Sequence, residues 1–280
     1  MYTTVIKIIP LILTVVIGFL FFNLENFYPL NISMKTNFEA ITVSTTLTFF
    51  AFLGIESATV PEGKIKNPIE NVSKATLYGV FFTFIIYILS TIALIGILSP
   101  EQIQNSNAPF ADAGGVIFGD YARYLMAFFA IVSALGCLNG WTLLQIELPK
   151  NLSKNNLFPK IFSKENSNNI PISGLVISNI IVVSLITMNY SKDLSNIFTD
   201  LILTSTFCTL ILYLFITTGE ILLIFKNKKH LKTNFISIPV FIFLIWMIIG
   251  VGYESILLGL LLLSISIPIY FYQKCYARNK

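Results

Sequence analysis

The sequence predicts an all-α, polytopic membrane protein of about eight transmembrane helices, and three observations carry that reading. Hydrophobic residues make up 55% of the 280 positions and charged residues only 11%, where a soluble domain carries about a quarter charged residues. Mean hydropathy is +0.78, and apolar stretches of about 20 residues, each long enough to cross roughly 30 Å of hydrocarbon, recur along the whole chain. Basic residues alternate between successive connections, as they do when the two sides of a membrane differ.

The expected spans are 5–22, 40–61, 75–98, 121–147, 172–189, 197–225, 235–252 and 255–272, forming one membrane domain over 1–280. Span one has a single lysine, Lys7, ahead of its apolar run, as a signal peptide does. The following FFNLENF is too bulky and polar for a small-residue cleavage site, so span is the better reading. Span two is rich in hydroxyls (Ser44, Thr45, Thr46, Thr48) and contains Gly54, residues that let a helix unwind where it lines a cavity. Lys64, Lys66 and Lys74 follow it. Span four is followed by Lys150, Lys154, Lys160 and Lys164, span six by Lys226, Lys228, Lys229 and Lys232, and the tail holds Lys274, Arg278 and Lys280. Only Lys35, Arg123 and Lys192 fall on the other side, so 15 of the 18 Lys and Arg share one face. The positive-inside rule makes that face cytoplasmic, with both termini inside.

A net charge of +4 does not point to nucleic acid. Cys137, Cys208 and Cys275 are odd in number and lack CxxC spacing, so neither a disulfide framework nor a metal site is suggested. The single histidine, His230, lies in the lysine-rich KNKKHLK of a solvated loop. With no nucleophile–base pair or phosphate loop, an enzyme is disfavoured.

Ionisable groups at bilayer depth mark function by default. Glu147, Asp200 and Glu220 lie near span ends, within reach of the interface. Glu56, inside FFAFLGIESATV, has no sequence-near lysine before Lys64. It is either a carboxyl satisfied by neighbouring hydroxyls or a gating, proton-sensitive carboxylate lining a cavity. Trp141, flanked by Asn139 and Gly140 near mid-span, departs from the usual interfacial belt of tryptophans. Packing against a neighbouring helix is one reading. An aromatic lid over a cationic substrate, worth roughly 0.5–2 kcal/mol of cation–π energy, is the other.

These residues sit in segments that resemble the basic amino-acid/polyamine antiporters of the amino acid–polyamine–organocation superfamily. The likeness runs over nearly the whole chain and is strongest in FFAFLGIESATVPEGKIKNPIENVSKAT, APFADAGG, GCLNGWTLLQIELPKNLSKNNLFPKIF and TSTFCTLILYLF. It implies that the eight spans are similar to helices five to twelve of an inverted-repeat (5+5) transporter fold, with no counterpart for the first four. It implies substrate contacts at Phe50, Leu53, Trp141 and Ser205, and gates at Phe50, Glu56, Trp141 and Tyr213. Phe50 stands where the family has a tryptophan, and Phe has the weaker hold on a guanidinium face.

The activity implied is exchange of a cationic amino acid for its decarboxylated amine, arginine for agmatine by preference. Ornithine/putrescine and lysine/cadaverine are the alternatives. No cofactor is implied. The implied partners are cationic amino acids and polyamines, the lipid bilayer of a bacterial inner membrane, a second copy in a homodimer, and a separately encoded N-terminal half. The competing class is a truncated remnant that does not transport.

Overall fold

A computed structural model describes residues 2–55, 67–167, 170–188, 194–226 and 236–278. Ten α-helices lie among the described residues: α1 Tyr2–Gly18, α2 Asn37–Phe50, α3 Pro68–Ile97, α4 Pro100–Asn105, α5 Pro109–Phe118, α6 Asp120–Lys154, α7 Ile172–Met188, α8 Leu194–Lys226, α9 Ser237–Val251 and α10 Tyr253–Arg278. Four of them contain stretches long and apolar enough to cross a bilayer, at Glu70–Ile97, Asp120–Lys154, Phe198–Lys226 and Tyr253–Lys274, and shorter apolar helices accompany them.

Each expected span overlaps one of α1, α2, α3, α6, α7, α8, α9 and α10. The helices overrun the apolar stretches: α3 begins seven residues before the expected 75, and α6 runs seven past 147. Hydropathy marks where lipid begins, whereas a helix continues into water until a cap or breaker stops it. The connection between spans three and four holds two helices that the hydropathy pattern did not separate. α4 starts on a Ser99/Gln102 capping box, and α5 is the APFADAGG segment itself.

The chain divides into two compact units, 1–34 with 55–148, and 35–54 with 149–280. In the first, α1 packs on α3, and the FFNLENF segment closes the end of that pair. The Phe22 ring lies on Gly96, while the amide of Asn23 (2.8 Å) and the side-chain amide of Asn26 (3.1 Å) both donate to the Gly96 carbonyl. Carbonyls of a helix's last turn lack intrahelical donors, so this is a cap built from the preceding element. Leu94, Ile97, Leu98 and Ala113 form the small core between α3 and α5. Arg123 ties α5 to α6, with Nε 3.2 Å from Asp112 and Nη1 3.1 Å from Asp120, and Ser106 donates to the other Asp112 oxygen.

The second unit is built on α8. Phe207, Leu210, Leu244, Met247 and Val251 form its core, with Phe49 and Tyr213 packed against it. α2 enters on a Thr36/Glu39 capping box. Past Pro149 the chain folds into a defined connection: Ser153 donates to the Pro159 carbonyl (2.9 Å), Ser173 donates to that of Ile161 (2.5 Å), and the Phe158 and Phe162 rings lie 4.7 Å apart.

Candidate functional site: a broken helix beside Tyr213

The break expected in span two is present. α2 ends at Phe50, and the next three amides pair three residues back rather than four: Ala51 to Thr48 (3.0 Å), Phe52 to Phe49 (2.9 Å) and Leu53 to Phe50 (3.0 Å). Such bonds tighten the last turn of a helix. Gly54 then adopts φ +94°, a conformation that L side chains rarely take, and turns the chain out of the helix.

The hydroxyls ahead of the break do not loosen the helix. Thr42, Thr45 and Thr46 each donate to the carbonyl four residues back, at 2.7, 2.7 and 3.0 Å, and the backbone stays α-helical through them. Gly54, rather than the hydroxyl run, therefore sets the position of the break. Phe52 lies beyond the end of α2 and so leaves the helical face that Phe49 occupies.

Phe50 and Leu53 are half-buried at the break. Tyr213, on α8, is half-buried as well, and its ring meets Phe49 edge-on with centroids 6.4 Å apart. Ser205 is exposed on α8, eight residues and so about 12 Å of helix before Tyr213. Its neighbours Thr204 and Thr206 are buried, and their hydroxyls have no partner among the described residues. The second unit thus contains Phe50, Leu53, Ser205 and Tyr213. Trp141 belongs to the first unit, on α6, where it is 50% exposed. Glu56 lies outside the described residues.

Other charged residues have structural partners. Glu220 accepts from Ser237 (3.0 Å) at the end of α8. Lys150, buried at the end of α6, and Lys154 both reach Glu165, at 3.1 and 3.3 Å. Hydrogen bonds from Lys150 and then Lys154 hold the Glu165 carboxyl below its ordinary range. This pair of contacts explains part of the ELPKNLSKNN segment as a clip on the α6–α7 connection.

The feature that sequence reasoning missed is the seam between α2 and α9. Trp246 donates its indole N–H to Thr42 Oγ1 (3.1 Å), and Thr46 Oγ1 lies 3.1 Å from the Met247 carbonyl. The sequence did hold a signal for it: Thr42 and Thr46 are four apart on one helix, and Trp246 and Gly250 are four apart on another.

Apolar helices of membrane-spanning length, with one helix broken at a glycine beside Tyr213, have the form of a membrane transporter. The chain matches the amino acid permease family over residues 1–268, and it belongs to that family. The family is one of transporters, not enzymes. The chain is 29% identical to the arginine/agmatine antiporter of Chlamydia pneumoniae over 95% of its own length and 58% of the relative's. It is 31% identical to the cadaverine/lysine antiporter of Escherichia coli K12, over 66% of the chain and 42% of the relative. It is 28% identical to the putrescine transporter PotE of Haemophilus influenzae, over 94% and 62%. The chain therefore spans about two-fifths to three-fifths of the length of these relatives.

Proposed function

We propose that this chain takes part in exchanging a cationic amino acid for its decarboxylated amine across a bacterial inner membrane, with both termini in the cytoplasm. The observation that carries the reading is the broken turn at Phe50–Gly54 beside Tyr213. Non-helical backbone at membrane depth is tolerated where it is buried in protein or lines a cavity, and transporters place substrate sites at such helix breaks. Substrate enters beside Phe50 and Leu53, contacts Ser205, and is covered by Trp141. Glu56 and Tyr213 open toward the cytoplasm, and protonation of Glu56 links opening to pH. The sidedness of 15 of the 18 basic residues supports the orientation.

Arginine for agmatine is the preferred pair, because Ser205 and the GWTLL of α6 fit the resemblance to that exchanger. Lysine/cadaverine and ornithine/putrescine are the runners-up. At 28–31% identity the relatives divide among substrates, and Phe50 in place of the family's tryptophan weakens the hold on a guanidinium face.

A second reading is favoured by α6. No residue in its most apolar 18-residue window is buried, and a cavity of about 580 Å³ opens beside it, lined by Leu11, Tyr87, Phe129, Ser133 and Cys137 among others. Asn139 and Trp141 are exposed on the same helix. Polar side chains at that depth are costly against lipid, so α6 calls for further helices packed against it.

The test is uptake of labelled arginine into liposomes preloaded with agmatine, with ornithine/putrescine and lysine/cadaverine arms and a Glu56→Ala variant. Exchange whose pH dependence changes in Glu56→Ala supports the reading. Silence from correctly inserted protein, relieved by adding a relative's first four helices in trans, supports the second reading. Silence in both arms refutes exchange.

A further inference from the structure

We propose that α9 is the positioning element of the substrate segment: Gly250 and Trp246 hold the α2 half-helix, and Phe243 carries that grip to Phe49 and Tyr213. The inference rests on reading Phe50–Gly54 as the substrate-contacting break.

Helices in lipid gain nothing from mutual hydrophobic burial, so a specific pair needs close backbone approach and hydrogen bonds. The α2–α9 seam has both. A methyl group on Gly250 would stand 2.1 Å from Thr46 Oγ1 and 2.7 Å from the Thr42 carbonyl, so only glycine permits this approach. Thr46 is fully buried, and its single hydroxyl proton is shared between the Thr42 carbonyl (3.0 Å) and, across the seam, the Met247 carbonyl (3.1 Å). Trp246 closes a relay, donating to Thr42 Oγ1 while that hydroxyl donates to the Phe38 carbonyl (2.7 Å).

The seam is continued by rings. Phe38, Trp246, Phe243, Phe49 and Tyr213 follow one another with centroid separations of 6.3, 5.8, 6.3 and 6.4 Å. All four lie within the range of favourable aromatic pairs. The series starts in the first turn of α2 and ends at the gate tyrosine on α8. Phe49 is its pivot, because the Phe49 carbonyl also accepts the Phe52 amide (2.9 Å) that shapes the break. The residue that anchors the break is thus held by α9 on one side and touches the gate on the other. α9 fixes where the turn points without meeting substrate itself.

The experiment combines transport with hydrogen exchange on the full chain in lipid, supplemented in trans where exchange requires it, for Gly250→Ala, Phe243→Leu and Gly250→Ala/Thr46→Ala. Displacement of a positioned group by about 1 Å costs on the order of 100-fold, so Gly250→Ala is expected to raise KM at least about tenfold, with kcat changing far less. Amides 49–54 should exchange faster while amides 217–226 do not. Removing the Thr46 hydroxyl relieves the shorter clash, so the double variant should recover part of the loss. Phe243→Leu, which creates no clash, should reproduce the KM effect in weaker form. A KM within about twofold of wild type in Gly250→Ala, or acceleration spread over all of α8, overturns the proposal. Should the wild-type protein move no substrate under any arrangement, the functional reading fails. The exchange pattern at 49–54 then still decides whether α9 holds the break.

Discussion

Replacing Gly54 by alanine tests the broken helix at the point where its geometry is set. At φ +94° the residue lies beyond even the small left-handed region open to L-amino acids. A Cβ there costs about 1–2 kcal/mol. The three tightened bonds just before it, from Ala51, Phe52 and Leu53, give the chain an easier alternative. It can escape the strain by shifting φ at position 54 toward the helical region and carrying α2 past Phe50. The break would then be lost from a fraction of molecules set by that energy. An energy of 1–2 kcal/mol is about a five- to thirtyfold change in an equilibrium, so KM for exchange is expected to rise by that factor. Gly79→Ala is the matched control, since open space surrounds that residue on α3. It should add about 0.5–1 kcal/mol of helix stability and leave KM alone. The assay is exchange into preloaded liposomes at several substrate concentrations, with insertion checked for every variant. Gly54→Ala protein whose KM stays within about twofold of wild type, under 0.5 kcal/mol, refutes the argument that the glycine sets the break.

Two further substitutions probe the connections between helices. The Glu165 carboxyl is held below its ordinary range by Lys150 and Lys154, so its contribution is full above the unfolded value of about 4.3 and fades as pH falls through the lower folded value. Proteolysis of the α6–α7 connection should therefore stay slow at pH 5 and quicken only in stronger acid. Glu165→Gln should be cut faster at pH 7 and lose that acid step. In the first unit, a methyl group on Gly96 would stand 2.2 Å from the Phe22 ring. Gly96→Ala is expected to cost about 1–3 kcal/mol by overpacking, read as a lower melting temperature in lipid nanodiscs, and Phe22→Ala in the same chain should recover part of it.

Much of this architecture was legible because a bilayer imposes length on apolar segments. The eight spans follow from stretches of about 20 residues, and the break in span two follows from Gly54 within FFAFLG. The overrun of α3 and α6 was not legible, because caps such as Pro at the start of α3 act outside the apolar stretch. The α4 and α5 helices were hidden for a related reason. Six and ten residues long, they are too short to register against a 20-residue window. Of the site residues, Phe50, Leu53, Ser205 and Tyr213 were chosen by resemblance rather than by pattern, and pattern offered no way to choose them.

The seam between α2 and α9 shows why. In a soluble protein the buried face of a helix announces itself by apolar periodicity. α9 is apolar all round apart from Ser237 and its glycine, so no stripe tells which side meets a neighbour and which meets lipid. In such a helix the informative residues are the exceptions to greasiness: a glycine that permits contact, a threonine that bonds across it, a tryptophan whose N–H must be satisfied. Thr42, Thr46, Trp246 and Gly250 are all of that kind. Reading a membrane sequence by its small and hydroxyl residues at four-residue spacing recovers faces that hydropathy cannot. Here it leads from the second tryptophan directly to the element that holds the break.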